Sequence, residues 1–234
     1  MYYDDVLLKL NLNNIIKFKS LDLDFDEILG LEIPFNESIG FPPALIPIAS
    51  SLGGFSYTGV YLTDIVNNDF VFVDFLVDDN NKIYEVALTE KQFSLYIVRR
   101  AMLDYFDDDV EDQIKTLCNC LGISNFMDIA DLEDDEFLEL NEFKPDAPKY
   151  LTSSLSGFSI ENEPVLETGN LKEKFDHCLY NNDFQGAWKY LNQPGWLLSD
   201  AKDNFKLLIE RSNHKLLLDI FNVWSSLKHP TQGY

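Results

Sequence analysis

Basic residues are few in this chain beside its acids. Its 234 residues carry 18 lysines and arginines against 40 aspartates and glutamates, a formal charge of −22 at pH 7. Between Lys19 and Lys82 there is no base at all. A surface of that sign repels phosphate backbones and anionic lipid, so neither nucleic acid nor a membrane surface is expected as a partner. Cysteine is scarce as well. Cys118, Cys120 and Cys178 are an odd set, suited to a reducing compartment rather than a disulfide framework. The three histidines, His177, His214 and His229, offer no zinc spacing, and Cys118-x-Cys120 lacks both the two-residue gap and a partner pair. No glycine-rich phosphate loop, nucleophile elbow or His-Glu-x-x-His occurs. No apolar run approaches the ~20 residues of a membrane-spanning helix. Met1-Tyr2-Tyr3-Asp4-Asp5 has no basic region leading into an apolar one, as a signal peptide would, so a cytoplasmic protein is expected. These absences predict no cofactor, no metal and no catalysis. The enzyme alternative is a hydrolase built on paired carboxylates, which need only spatial proximity.

What the chain does have is 46% hydrophobic and 14% aromatic residues, enough for a packed core. The best-patterned stretch runs from Phe41 to Phe106. A proline-studded apolar run, Phe41 to Ala49, meets a turn at Gly53-Gly54, where at least one residue is expected at positive φ. A strand follows from Phe55 to Leu62. Its face of Phe55, Tyr57 and Tyr61 reads as sheet core rather than a base-stacking platform, because no neighbouring base is there to hold a phosphate. Phe70 to Val77 reads as a central strand covered on both faces, in which Asp74 needs a partner that the sequence does not name. Asp78-Asp79-Asn80-Asn81 predicts a hairpin turn into a strand from Lys82 to Leu88. Thr89-Glu90-Lys91-Gln92 fits a capping box opening a helix. That helix carries Phe93, Ile97 and Ala101 on one stripe and Leu95, Val98, Met102 and Tyr105 on another, so it is expected to pack on two sides. Arg99-Arg100 is expected to pair with Asp104 or Asp107 to Asp109.

On either side of this stretch the pattern is looser. Val6, Leu7, Leu8 and Leu10 suit a short helix, and Leu21, Leu23 and Phe25 alternate with Asp22, Asp24 and Asp26 as in a half-buried strand. The same aspartates fail as an EF-hand, which needs glycine where Glu27 stands and a bidentate acid where Ile33 stands. A helix is predicted from Val110 to Leu121, ended by Gly122, followed by an acidic segment from Asp131 to Glu142. Pro145, Pro148 and the Ser/Gly/Asn-rich passage from Thr152 to Asn162 read as a linker. The charge shifts at the same place, residues 1–150 holding 30 acids to 10 bases and residues 151–234 holding 10 to 8. Beyond it the pattern is helical. Leu171, Phe175, Cys178 and Leu179 recur 30 residues on as Ala201, Phe205, Leu208 and Ile209. Second helices run through Trp188 and Trp224, and polar boxes sit at Asn170-x-x-Glu173 and Asn182-x-x-Gln185. This pattern fits two helix–turn–helix units of the ankyrin or other α-solenoid sort, or two unrelated helical hairpins. The expected organisation is an α+β domain over 1–150, a linker or surface loop over 151–168, and a helical module over 169–234.

Leu45-Ile46-Pro47-Ile48-Ala49-Ser50-Ser51-Leu52-Gly53-Gly54, then Val71 to Phe75, Lys82-Ile83-Tyr84 and Gln92-Phe93, together resemble the SUKH superfamily. It includes bacterial toxin-immunity proteins and fungal cell-wall synthesis regulators, and the resemblance covers roughly residues 40 to 106. It implies an α+β fold with a twisted, largely antiparallel sheet and packed helices, and a role in binding protein rather than in catalysis. The expected partner is a basic protein, a cationic toxin domain such as a nuclease. Asp107, Asp108, Asp109, Glu133, Asp134, Asp135 and Glu136 are the candidate partner-binding residues, with Gly53 and Gly54 as the structural turn. Two other readings stand beside it: the acidic tract as plain solubilising surface, and a scaffold that binds partners through its helical module.

Overall fold

In the computed structural model the described residues are 3–35, 40–76, 82–104, 111–124, 129, 132, 136–137, 140–143, 170–227 and 233. Three short helices, α1 (Asp4–Lys9), α2 (Asn13–Lys19) and α3 (Phe25–Leu29), lead into strands β1 (Leu31–Glu32), β2 (Leu45–Ser51), β3 (Ser56–Asp64), β4 (Asp69–Leu76) and β5 (Lys82–Ala87). The strands lie side by side in chain order, each antiparallel to the next, so the fold is α+β with an antiparallel meander at its centre. Short connections require such a meander. Gly53 and Gly54 turn β2 into β3 with φ of 79° and 68°. Between β3 and β4 the Asp64 carboxylate accepts from the amides of Val66 and Asn67, and Asn68 takes φ 59°. The predicted Asp78–Asn81 turn lies outside the described residues, although the two strands it would join do pair.

A Cβ on Gly53 would stand 3.1 Å from the Phe55 ring, in backbone that already disfavours a side chain. Gly53→Val is therefore expected to lower stability by about 1–2 kcal/mol, read as a shifted urea midpoint at unchanged m-value. Loss of partner binding at unchanged midpoint would instead make the turn a ligand loop.

Register sorts the sheet into two faces. Tyr57 and Phe75 share one, where Phe35 and Phe41 close on Tyr57 with ring centroids 6.2 and 5.0 Å away. Val60 and Phe72 share the other, covered by α4 (Glu90–Asp104), whose Phe93 stacks on Phe72 at 4.4 Å. The strand covered on both faces is not β4 as expected. It keeps several half-exposed positions, whereas β2 and β3 are buried almost throughout. Helices from the C-terminal part of the chain cover the ends of β2 and β3, and no apolar run in β4 foretells that.

Cap chemistry starts α4 nearly as expected. The Thr89 hydroxyl accepts from the Gln92 amide, but the Gln92 side chain reaches one residue further back, to the Leu88 amide. Its other end donates to the Glu142 carbonyl, tying the helix start to a distant segment. Glu90 caps a different helix, its carboxylate accepting from the Asn14 and Ile15 amides at the first turn of α2. Arg99 is buried; its guanidinium donates to the Leu132 carbonyl and lies 4.4 Å over the Phe137 ring. The expected strand at Leu21–Phe25 is absent. Asp24 accepts from the Glu27 amide and N-caps α3, so an alternation of only five residues is overruled by a helix cap.

After α5 (Glu111–Leu121), ended at Gly122 with φ 69°, the next helices of described extent are α6 (Leu171–Tyr180), α7 (Phe184–Leu191), α8 (Leu198–Ser212) and α9 (Lys215–Trp224). The expected linker, residues 151–168, lies outside the described residues. The helices form two hairpins closed by one device. A left-handed asparagine, Asn182 or Asn213, is followed by a side-chain N-cap, Asp183 or His214. The polar boxes of the sequence are therefore displaced. Asn170 donates to the Glu173 carboxylate without capping an amide, and Asn182 hands the cap to its neighbour.

This helical segment docks on the ends of β2 and β3 through side chains that serve backbone. The indoles of Trp188 and Trp224 donate to the carbonyls of Leu62 and Phe41, both at 2.9 Å. Asn192 accepts from the Ala44 amide, and Gln185 accepts from Ile65 while donating to the Thr63 carbonyl. Each bond pairs a polar backbone group near a strand end that burial would otherwise leave unsatisfied. Lys9 on α1 pairs with Asp219 on α9, and a single apolar core runs from Tyr3 to Leu227.

Candidate partner-binding surface

Of the seven acids singled out in the sequence, Glu136 alone is described. It is exposed, beside the buried Phe137 that supports Arg99. Asp107, Asp108, Asp109, Glu133, Asp134 and Asp135 lie outside the described residues.

Four other carboxylates are brought together instead. Asp22, Asp24, Asp26 and Glu32 line an open groove of about 750 Å³, shared with Leu23, Phe25, Leu31, Ile33 and Pro34. One wall is the segment that turns into α3; the other is β1 and the two residues after it. Asp24 is committed to its cap, while the carboxylates of Asp22, Asp26 and Glu32 make no hydrogen bond or ion pair among the described residues. The wall is fixed from behind by Gln113 of α5, which accepts from the Asp24 amide at 3.0 Å and donates to the Glu27 carboxylate at 2.8 Å. The sequence does signal this site, as Asp-x-Asp-x-Asp. What it does not show is that Glu32 stands opposite.

Asp74 finds the partners that sequence could not name. It accepts from the Thr58 hydroxyl across the strand pair at 2.6 Å and from the Tyr96 hydroxyl on α4 at 2.5 Å. These two hydroxyl donors satisfy a half-buried carboxylate inside the sheet, a structural arrangement. Among the described residues no group of three His, Cys, Asp or Glu side chains could hold a metal ion, and no helix is long and apolar enough to cross a membrane. Burial pushes the Cys118 thiol up to about 12 and raises those of Cys120 and Cys178. At about 12 the buried Cys118 thiol is protonated at neutral pH and is a poor nucleophile.

A smaller cavity of about 190 Å³ lies where the helices meet the sheet, between Tyr61, Thr63, Gln185, Trp188, Lys189 and Gln193. The amides of Gln185 and Asn192 on its wall are already used on backbone. At the opposite end of β3 the glycine turn leaves Leu52 and Phe55 each 54% exposed. The chain matches no family model, no curated protein and no solved structure.

Proposed function

We propose that the protein is a non-enzymatic, cytoplasmic binder of a basic protein, and that it neutralises a cationic toxin domain in the manner the SUKH resemblance implies. The observation that carries this reading is the charge of −22 together with groove carboxylates of Asp22, Asp26 and Glu32 that meet no counter-charge among the described residues. An uncompensated acidic surface attracts a cationic protein over a Debye length and sets its encounter rate. The helical segment is less suited to be the binding element, because two of its three tryptophans, Trp188 and Trp224, are spent on backbone carbonyls at the sheet and the third, Trp196, is buried on the segment's own backbone.

Stopped-flow association with a cationic toxin domain at two ionic strengths tests this. Neutralising Asp107 to Asp109 and Glu133 to Glu136 should slow association by about tenfold and flatten its salt dependence, with a smaller effect on dissociation. A wild-type rate that ignores salt would sink the electrostatic reading and leave the acids as solubilising surface.

A further inference from the structure

β1 ends the described sheet. Leu31 and Glu32 pair with Ser51 and Ser50 of β2, and among the described residues no strand continues the ladder beyond them. Successive residues of an antiparallel strand bond their neighbour and face away from it in turn, so one of these two residues keeps its main-chain N–H and C=O on the other flank. The acidic groove adjoins β1 on the side away from β2, as its lining indicates. Its lining includes Leu31 to Pro34 and no residue of β2. The groove is not merely charged. Leu23 and Ile33 are half-buried on its sides, with Phe25 and Leu31 buried beneath, and Gln113 holds the facing wall in place before anything binds. A recess already in its bound shape saves the ordering cost of association.

We propose that this groove receives an extended, lysine- or arginine-bearing segment of the partner protein, laid along β1 as a further strand. The proposal rests on the reading of the protein as a binder of basic protein, and it specifies where and in what conformation the partner engages. A strand points successive side chains to opposite sides. Aliphatic residues can then pack on Leu23 and Ile33 while cationic ones reach Asp22, Asp26 and Glu32. Main-chain bonds to an edge supply affinity in such complexes, and the side-chain pattern supplies choice. A partner helix is the poorer occupant, since its own ladder consumes the main-chain groups that the edge would bind.

The test uses the full chain and two synthetic peptides of about ten residues and equal charge. One alternates lysine with valine; in the other proline replaces each valine, removing the amide donor at every second residue and disfavouring a ladder. The alternating peptide should bind about tenfold tighter, with amide shifts confined to residues 22–34 and the strand beside them. The triple variant Asp22→Asn, Asp26→Asn, Glu32→Gln neutralises carboxylates that bond nothing among the described residues, and should lose about tenfold in affinity. Neutralising three exposed acids of α8, Asp200, Asp203 and Glu210, should leave affinity unchanged. Equal affinity for the two peptides, no binding of either, or equal losses in the two triple variants would each overturn the groove as the docking site. None of these would touch the salt dependence of association with a whole basic protein, so the two readings fail separately.

Discussion

Trp188→Ala is expected to lower stability by about 3–5 kcal/mol, the range for deleting a buried tryptophan. The side chain is 2% exposed, its ring sits 5.5 Å from Phe205, and its indole donates to the buried carbonyl of Leu62. Alanine would open a cavity between α7 and α8 and at the same time strip the end of β3 of a hydrogen bond. Trp188→Phe separates the two losses. It keeps much of the packing and leaves the Leu62 carbonyl without its donor, so about 1–3 kcal/mol is expected. Urea unfolding followed by both far-ultraviolet circular dichroism and tryptophan fluorescence provides the measurement. Coincident transitions in the wild type would mark helices and sheet as one cooperative unit. A loss below about 1 kcal/mol in the alanine variant would show that the helical segment adds little to the sheet it covers.

Gly59→Ala should be nearly as damaging, for a different reason. Gly59 lies mid-strand in β3 beside Pro47 of β2, and a Cβ there would stand 2.5 Å from the Ile46 carbonyl oxygen and 3.0 Å from the Pro47 Cα. Both are backbone atoms and cannot swing aside. The β2–β3 register already slips between Pro47 and Ala49, so the close approach belongs to a local bulge, and one methyl group would force the strands apart. About 3 kcal/mol is expected, the upper end of overpacking costs. Hydrogen exchange should show faster opening of β2 and β3 than of α4. A variant with unchanged unfolding midpoint would mean that the bulge relaxes freely, and that the glycine is not required by packing.

Local chemistry was legible in this sequence wherever the partners lie within about four residues of each other. The positive φ of Gly53 and Gly54, the Thr89 cap, the stop at Gly122 and the four C-terminal helices all follow from short-range rules. So does the antiparallel order of β3, β4 and β5, because short turns leave neighbouring strands no other way to pair. Where two short-range rules compete, the sequence is ambiguous. Leu21 to Asp26 alternates like a strand and also carries a helix cap, and six residues are too few for the period to decide.

Only the tertiary structure decided which distant groups meet. Tyr96 completes Asp74, Glu90 caps a helix 76 residues earlier, and Trp188 satisfies a carbonyl 126 residues away. Hydrophobic periodicity tells which side of an element is buried but not against what, since burial is non-directional while a hydrogen bond is specific. The groove shows the same division. Three aspartates at alternate positions were visible from the start, but their role depends on Glu32 across the recess, on Gln113 behind the wall and on the free flank of β1. Composition determined the sign of the surface, and the packing of chain segments determined where that surface has a shape a partner can enter.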